Sequence, residues 1–230
     1  MKIKPTIRLI QRLSFSHESG VPISSKYLRE NEISRALAYK YVASHWLTKI
    51  GKGVYLFGNE KPSNYGVVSA ILRDNEFHIG GRHALSLRGN IHYLRANERI
   101  DIFGNNPKFK IPLWAKPFNL KYTTKNPFDL SIPDRWFVSK LEDSSYPTLF
   151  VSERERAMLE LIYGLGSIYA KEEVEQIVET LVGLRSKVIG TLLEHCDSIR
   201  TLKQCRFYAQ RFDMPWKSVV NEICEGRKIK

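Results

Sequence analysis

A segment from Ser34 to Ser44 carries the side chains best suited to chemistry in this sequence. If it is a helix, with 100° per residue, its apolar residues share one face, which consists of Leu37, Ala38, Tyr41 and Val42. The opposite face has no acid and consists of Arg35, Ala36, Tyr39, Lys40 and Ala43. Arginine can donate two hydrogen bonds to guanine, and lysine and tyrosine can reach phosphates. The second face therefore predicts contact with the major groove of double-stranded DNA; the alternative is an ordinary solvated face.

Two shorter helices are predicted before this segment. Apolar residues at spacings of three and four predict a first helix with a stripe of Ile3, Ile7, Ile10 and Leu13. Gly20-Val21-Pro22 interrupts the chain. Ser24 and Ser25 are good N-caps for a second helix through about Glu30. The order of helix, turn and helix is the one expected of a helix-turn-helix.

A basic hairpin is predicted after the third helix. Residues 46–50 and 54–57 are β-prone, and Gly51-Lys52-Gly53 joins them. The two glycines supply the turn backbone, and the lysine stands at the tip. Such a wing lies against the sugar-phosphate backbone or in the minor groove. Residues 1–62 are therefore predicted to form a winged helix-turn-helix DNA-binding domain.

The candidate DNA-binding side chains come from three elements of that domain. Because helix N-termini present free amides to anions, the start of the second helix suits phosphate contacts. The third helix supplies base and phosphate contacts, and the wing supplies further cations. The complete set is Ser25, Lys26, Ser34, Arg35, Tyr39, Lys40, Lys49 and Lys52.

The charge distribution agrees with this assignment. The 230-residue chain has a formal net charge of +12, and residues 1–62 contain eleven Lys and Arg against four Asp and Glu. Residues 151–230 are nearly neutral, with thirteen against twelve. A basic segment attracts polyanions, of which nucleic acid is the usual one and an acidic membrane surface the second. No apolar run reaches membrane-spanning length.

Residues 63–230 predict a second domain in which strands precede helices. Helical patterns start near Asn64, and β-prone runs cover 91–94, 99–103, 120–124, 136–139 and 148–151. Helical patterns continue from about 152 to the end of the chain. Segregated strands and helices predict an α+β fold. The cysteines Cys196, Cys205 and Cys224 are odd in number and lack CxxC spacing, so we expect neither a disulfide framework nor a zinc site, and a cytoplasmic protein.

One helix of this second domain has a distinctive start. Ser152 and Glu155 have the spacing of a capping box, with Ser152 at the N-cap and Glu155 at N3. Arg154 and Arg156 flank Glu155, and we expect them on a solvated face.

Two clusters in the second domain invite catalytic hypotheses. The first contains His78, His83 and His92, but it has no HExxH pattern and no nearby cysteine, so structural roles are expected rather than a metal site. The second contains the acids of a metal-dependent nuclease but not its usual acid–x–Lys element, and consists of Asp129, Asp134, Glu142 and Asp143. We therefore expect no enzyme activity, no cofactor and no metal. Arg82 and His83 remain candidates for a functional surface.

Four stretches resemble the AbiEi family, the antitoxins of type IV toxin–antitoxin systems. The first covers the third helix and the wing, and the others lie in the second domain in the family's order. They are ISRALAYKYVASHWLTKIGKGVYLFG (33–58), FHIGGRHALSLRGNIHYL (77–94), VSERERAMLELIY (151–163) and ETLVGLRSKVIGTLLEHC (179–196). One departure is His45, at a position where the family often has glycine.

The resemblance implies a function. AbiEi-like antitoxins bind DNA through the N-terminal winged helix and repress their own operon. The C-terminal domain is needed to counter a nucleotidyltransferase toxin, and the two proteins need not form a stable complex. The alternatives are an antitoxin that binds its toxin directly, and a nuclease that uses the winged helix for docking. Repressors of this kind commonly act in pairs on inverted repeats, although no heptad indicates the oligomeric state here.

Overall fold

The computed structural model describes residues 5–91, 99–124, 126–129, 132–133, 135–141 and 149–229. Contacts between Cα atoms divide the chain into two compact units. The first unit contains Met1–Glu76, Ile111–Phe118 and Lys140–Leu149. The second unit contains Phe77–Lys110, Asn119–Ser139 and Phe150–Lys230.

The first unit has the winged helix-turn-helix order. Its elements are α1 (Pro5–Ser16), β1 (Ile23–Ser24), α2 (Ser25–Glu30), α3 (Arg35–Ala43), β2 (Leu47–Gly51), β3 (Val54–Phe57) and α4 (Asn64–Asp74). The strands form an antiparallel sheet with the order β1–β3–β2. The predicted helices and hairpin are all present. Of the predicted stripe on α1, Ile10 and Leu13 are buried, whereas Ile3 and the side chain of Ile7 lie outside the described part of the structure.

Local sequence explains where α2 begins, and packing explains what holds it. The Oγ atom of Ser24 accepts a hydrogen bond from the Tyr27 amide at 3.1 Å and caps the helix. Leu28 of α2 is buried in one core with residues of α1, α3 and the wing. The shared core includes Ile10, Leu13, Ile33, Ala38, Tyr41, Leu47 and Tyr55. Burial of these side chains from every element fixes α3 and the wing relative to each other.

Helix α4, which the sequence interpretation assigns to the second domain, lies in the first unit. Ser63 caps it and donates its amide to the Gly20 carbonyl at 3.1 Å. An ideal Cβ at Gly66 would lie 2.2 Å from the Gly20 oxygen, so only glycine permits this approach. The winged helix of residues 1–62 is thus part of a larger unit. A 3-10 helix, Leu113–Phe118, also belongs to it.

The second sheet contains β4 (His78–Ile79), β5 (Ile100–Phe103), β6 (Leu120–Thr123), β7 (Val138–Leu141) and β8 (Leu149–Ser152), in the order β6–β5–β4–β8–β7. Strand β5 is antiparallel to β4 and parallel to β6, and β4 is parallel to β8. Strands β5 to β8 agree with the predicted runs within two residues, whereas the predicted run 91–94 lies largely outside the described residues.

The second unit also contains helices, most of which follow its sheet in the chain. Their bounds are α5 (Gly81–Leu87), α6 (Arg154–Tyr163), α7 (Lys171–Thr180), α8 (Ser186–Glu194), α9 (Ile199–Arg211) and α10 (Lys217–Gly226). The predicted α+β class is confirmed. Cys196, Cys205 and Cys224 are free thiols, and all three are fully buried. In the described part of the chain, no helix combines the length and apolar character needed to cross a membrane.

Candidate nucleic-acid interface

Helix α3 presents the two faces that its sequence predicts. Ala38 and Tyr41 are buried, and Leu37 and Val42 are partly buried against the same core. The opposite face is open to solvent and comprises Arg35, Ala36, Tyr39, Lys40 and Ala43. Ser34 caps the helix, because its Oγ accepts a hydrogen bond from the Leu37 amide at 3.2 Å. The side chain of Ser34 is therefore engaged as an acceptor, but its hydroxyl proton remains able to donate.

A Schellman motif ends α3 and leads the chain into the wing. The amide of Trp46 donates to the Tyr41 carbonyl at 2.9 Å, and the amide of His45 donates to the Val42 carbonyl at 3.1 Å. His45 has a φ of 60°, which is the left-handed conformation that this position requires. The family preference for glycine at this position is explained by that backbone geometry, since a Cβ is disfavoured there.

Arg35 and Tyr39 form an interacting pair on the exposed face of α3. The guanidinium carbon of Arg35 lies 5.9 Å from the centre of the Tyr39 ring, and the two side chains also share a hydrogen bond. The hydrogen bond and positive charge of Arg35, together with the charge of Lys49, lower the pKa of the Tyr39 phenol. One cation from the helix and one from the wing thus act on the same phenol.

The wing is held at the N-terminus of α2. Strands β2 and β3 pair in antiparallel register, with Leu47 opposite Phe57 and Lys49 opposite Tyr55. Lys52 stands exposed at the tip, and Gly53 has a φ of 70°. The Gly53 carbonyl accepts hydrogen bonds from the amide and the hydroxyl of Ser25, at 2.8 and 3.1 Å. These bonds fix the tip of the wing beside the start of α2.

A cleft of about 400 Å³ lies between α2, α3 and the wing. It brings together five of the predicted DNA-binding residues: Ser25, Arg35, Tyr39, Lys49 and Lys52. None of the described residues that line it is acidic. Arg29 also lines the cleft, in the last turn of α2, and the sequence analysis missed it. Its position on the same side of α2 as Ser25, four residues later, was the signal available in the sequence.

The remaining predicted contacts lie outside this cleft. Lys26 is exposed, and its Nζ donates to the Asp74 carbonyl at 3.4 Å. Lys40 is exposed in the last turn of α3. Ser34 stands at the N-cap, as described above. A surface that uses Lys26, Ser34 and Lys40 would therefore extend beyond the cleft rather than fill it.

The two candidates in the second unit differ in accessibility. Arg82 is partly exposed, and its Nη1 donates to Glu173 at 2.8 Å. His83 is only 2% exposed, so its side chain is not available to a partner in this structure. Burial, together with the neighbouring Arg82, lowers the pKa of His83 to about 4. The imidazole is thus neutral at pH 7 and is part of the core.

Glu160 organises a buried polar network in the second unit. Its carboxylate accepts hydrogen bonds from His78 Nε2 at 2.9 Å, Arg156 Nε at 2.8 Å and Ser152 Oγ at 2.9 Å. The Gly81 amide adds another at 3.0 Å. Burial alone would raise the pKa of Glu160, but its partners hold it well below the usual range. Burial lowers the pKa of His78, and Arg156 places a positive charge beside the Glu160 carboxylate.

This network corrects two expectations. The N-cap of α6 is Glu153, not Ser152, and the predicted capping box is absent because Ser152 donates to Glu160 and Glu155 binds Arg185. Arg156 is 2% exposed, so it does not lie on a solvated face. The physical reason is that distant segments supply partners: Glu155 binds Arg185, and Arg156 donates to the carbonyl of Trp136 as well as to Glu160.

Of the four acids considered for a nuclease, the structure describes Asp129. Asp129 pairs with His195 at 3.0 Å. Asp134, Glu142 and Asp143 lie outside the described residues, as does His92. Within the described ranges, no group of three or more His, Cys, Asp or Glu side chains is arranged to hold a metal ion.

Comparison with known proteins supports the fold. The chain is similar to the crystal structure of the RV2827C protein from Mycobacterium tuberculosis, with 13% sequence identity and a TM-score of 0.58. The similarity covers 96% of this chain and 81% of that chain. At this level of identity the likeness concerns the fold alone. A search of curated proteins finds no match.

Family models identify the chain more specifically. A model described as the N-terminal domain of the transcriptional regulator AbiEi antitoxin matches residues 7–96. A second model, described as the transcriptional regulator AbiEi antitoxin of type IV toxin–antitoxin systems, matches residues 97–225. Together they cover nearly the whole chain and agree with the stretches that resemble the family. The protein is thus a member of the AbiEi antitoxin family, a transcriptional regulator of a type IV toxin–antitoxin system.

Proposed function

We propose that this protein represses its own operon by binding double-stranded operator DNA through α3 and the wing. The observation that carries the proposal is the cleft between them. Its lining includes the cations Arg29, Arg35, Lys49 and Lys52 without an acid among the described lining residues. Polyanion binding needs such a concentration of uncompensated positive charge. The family description as a transcriptional regulator agrees with it.

The two halves of this surface suit different parts of a duplex. Ala36 and Ala43 have small side chains on the exposed face of α3, which lets the helix approach base edges closely. Arg35 can donate two parallel hydrogen bonds to a guanine, and its contact with Tyr39 limits the directions that its side chain takes. Lys49 and Lys52 extend from the wing and suit phosphate oxygens. The helix would therefore supply base preference, and the wing would supply affinity for any sequence.

A binding assay tests the repressor proposal. Labelled DNA from upstream of the chain's own gene is titrated with protein at low salt, with a shuffled duplex of equal length as the control. We expect tighter binding to the upstream DNA and an affinity that falls steeply with added salt. A footprint on an inverted repeat would further support binding in pairs. If neither duplex binds at low salt, the repressor proposal is wrong.

We further propose that the chain counters a nucleotidyltransferase toxin through its second unit. The family description as an antitoxin supports this, and it describes a regulator rather than an enzyme, which argues against the nuclease alternative. Co-expression with the product of the neighbouring gene tests the proposal by rescue of growth. Substitution Arg82→Ala tests whether Arg82, the accessible residue of the two candidates, contributes to antitoxin activity. Arg82→Lys is its charge-matched control. Co-purification then separates direct binding of the toxin from an indirect mechanism.

A further inference from the structure

The 3-10 helix Leu113–Phe118 belongs to the first unit, although it follows the wing by more than fifty residues. It packs against β2 of the wing and against α4. Ala115 at its centre is fully buried, whereas Leu113 is 79% exposed. The model that matches the family's N-terminal domain ends at residue 96, so this segment comes from the part of the chain matched by the other model. The winged helix is thus completed by a later segment.

Trp114 of this segment lies against Gly51 of the wing. An ideal Cβ at Gly51 would lie 3.1 Å from both Cβ and Cδ1 of Trp114, and 3.2 Å from its Cγ. Gly51 is not among the glycines with positive φ, whereas Gly53 is. Of the two glycines in the predicted turn, only Gly53 is needed for backbone conformation. Gly51 instead leaves room for the indole of Trp114.

The contact falls at the weakest point of the wing. Lys49 pairs with Tyr55 and Gly51 with Val54, so the register shifts by one residue between them. Such a bulge interrupts the ladder and sets the local twist. Strand β2 is also an edge strand, with β3 as its neighbour in the order β1–β3–β2. The core holds Leu47, Tyr55 and Phe57 of the wing, and Ser25 holds its tip. Trp114 adds a contact at the bulge, directly between the two lysines of the wing.

We propose that Trp114 is a positioning residue for DNA binding, which holds the bulge of the wing so that Lys49 and Lys52 face the cleft. This inference rests on the proposed function, because it concerns the same surface. Trp114 itself does not line the cleft. It acts through Gly51, which separates Lys49 and Ile50 from Lys52 at the tip. Its effect on DNA is therefore expected to be electrostatic and independent of sequence.

We call the contact by which Trp114 holds the bulge of the wing the Trp114 clamp. Hydrogen exchange on the full-length protein tests this clamp without DNA. Amides 47–57 are compared in the wild type and in Trp114→Ala, Trp114→Phe and Leu113→Ala. Leu113 lies in the same 3-10 helix but is exposed, so it is the matched control. We expect exchange in the wing to be about tenfold faster in Trp114→Ala, nearly normal in Trp114→Phe, and unchanged in Leu113→Ala. Gly51→Ala keeps the indole but crowds it, and we expect wing exchange between that of the wild type and that of Trp114→Ala.

The salt dependence of DNA binding supplies the functional measurement. We expect Trp114→Ala to weaken binding to all duplexes about equally and to reduce the slope of log affinity against log salt by about one to two, the share of two lysines. Trp114→Phe should restore the slope. Merely lower stability would reduce the fraction of active protein and leave the slope unchanged.

The outcomes separate this inference from the repressor proposal. Normal hydrogen exchange of the wing in both Trp114→Ala and Gly51→Ala would refute the clamp, whatever the result of the DNA-binding measurement. Fast wing exchange with an unchanged salt slope would overturn its role in DNA binding. A wild type that fails to bind DNA would instead refute the repressor function and with it the role of Trp114, while leaving the clamp to be judged by exchange alone.

Discussion

Ser25 donates two hydrogen bonds to the carbonyl of Gly53, one from its amide and one from its hydroxyl. They join the N-terminus of α2 to the tip of the wing, 28 residues later. A Cβ at Gly53 would lie 2.9 Å from the Ser25 hydroxyl, so the contact depends on glycine as well as on the positive φ. The hydroxyl of Ser25 is therefore already used within the protein. Its contact with a phosphate remains a prediction, and the geometry favours positioning of the wing as its first role.

Because the tip is fixed in this way, Lys52→Ala should remove one phosphate contact. We expect weaker binding to every duplex alike, with the slope of log affinity against log salt reduced by about one. Lys61→Ala is the matched control, since Lys61 is also exposed in the first unit but does not line the cleft. Fluorescence anisotropy across a salt series measures both. Equal effects of the two substitutions would contradict a specific role for Lys52.

Arg35→Ala should change base preference as well as affinity. A bidentate contact to guanine is lost, so we expect binding to the operator to weaken about 10- to 100-fold and the preference at one base position to relax. Arg35→Lys keeps the charge without the planar fork and should restore little of the preference. Competition with duplexes that differ at single positions measures the effect. If Lys52→Ala changed the preference and Arg35→Ala did not, the two roles would be reversed.

His45→Gly should stabilise the protein. His45 occupies the left-handed position of a Schellman motif, where a Cβ is unfavourable. The gain is partly offset by the greater freedom of glycine in the unfolded chain, so we expect about 0.5–1 kcal/mol in the free energy of unfolding. Urea denaturation measures it. Ser44→Gly is the control, because Ser44 has a φ of −96° and should lose stability with glycine. Equal destabilisation by both would contradict the interpretation.

The free energy of unfolding of the second unit should decrease as the pH falls, because His83 is buried as a neutral side chain. Its pKa is lowered from 6.5 to about 4 in the folded protein. Between these values the unfolded chain binds a proton that the folded chain does not. The contribution of His83 to the free energy of unfolding is therefore complete above pH 6.5 and is lost as the pH falls toward 4. We expect this residue to account for about 3 kcal/mol of the loss over that range.

The variant His83→Gln should lack that part of the pH dependence. Chemical denaturation at a series of pH values measures the difference from the wild type. His45→Gln is the control, because His45 is exposed. His78 is buried and its pKa is also lowered, so some dependence on acid should persist in His83→Gln. An identical pH profile for the wild type and His83→Gln would contradict the role assigned to His83.

Helix α3 shows how much of the interface could be predicted from the chain. Its cap at Ser34, its buried face and its basic face all follow from the 3.6-residue period and the chemistry of one short segment. The wing could likewise be predicted from one short segment of sequence. Arg29 was missed although it lies four residues after Ser25, because a spacing within one short helix does not show what that side of the helix faces. Only the fold brings Arg29 to the same cleft as Lys52.

The α6 segment shows where local inference fails. Arg156 looks like a surface charge, because charged residues in the first turn of a helix are normally solvated. It is buried, since it donates to Glu160 one turn later and to the carbonyl of Trp136. The spacing of Arg156 and Glu160 is visible in the sequence, but the distant partners Trp136 and Arg185 are not, and burial of a charge is tolerated only when partners are present.

The amino-acid sequence by itself determined the local elements of this protein: its helices, its hairpin, its basic N-terminal segment and its family. Only the tertiary structure decided which of these elements meet, as when Trp114 reaches Gly51 and Glu160 reaches His78. The reason is that periodicity, caps and turns depend on neighbours within a few residues. Contacts between distant residues depend on how the chain packs as a whole, and no local pattern in this sequence specified them.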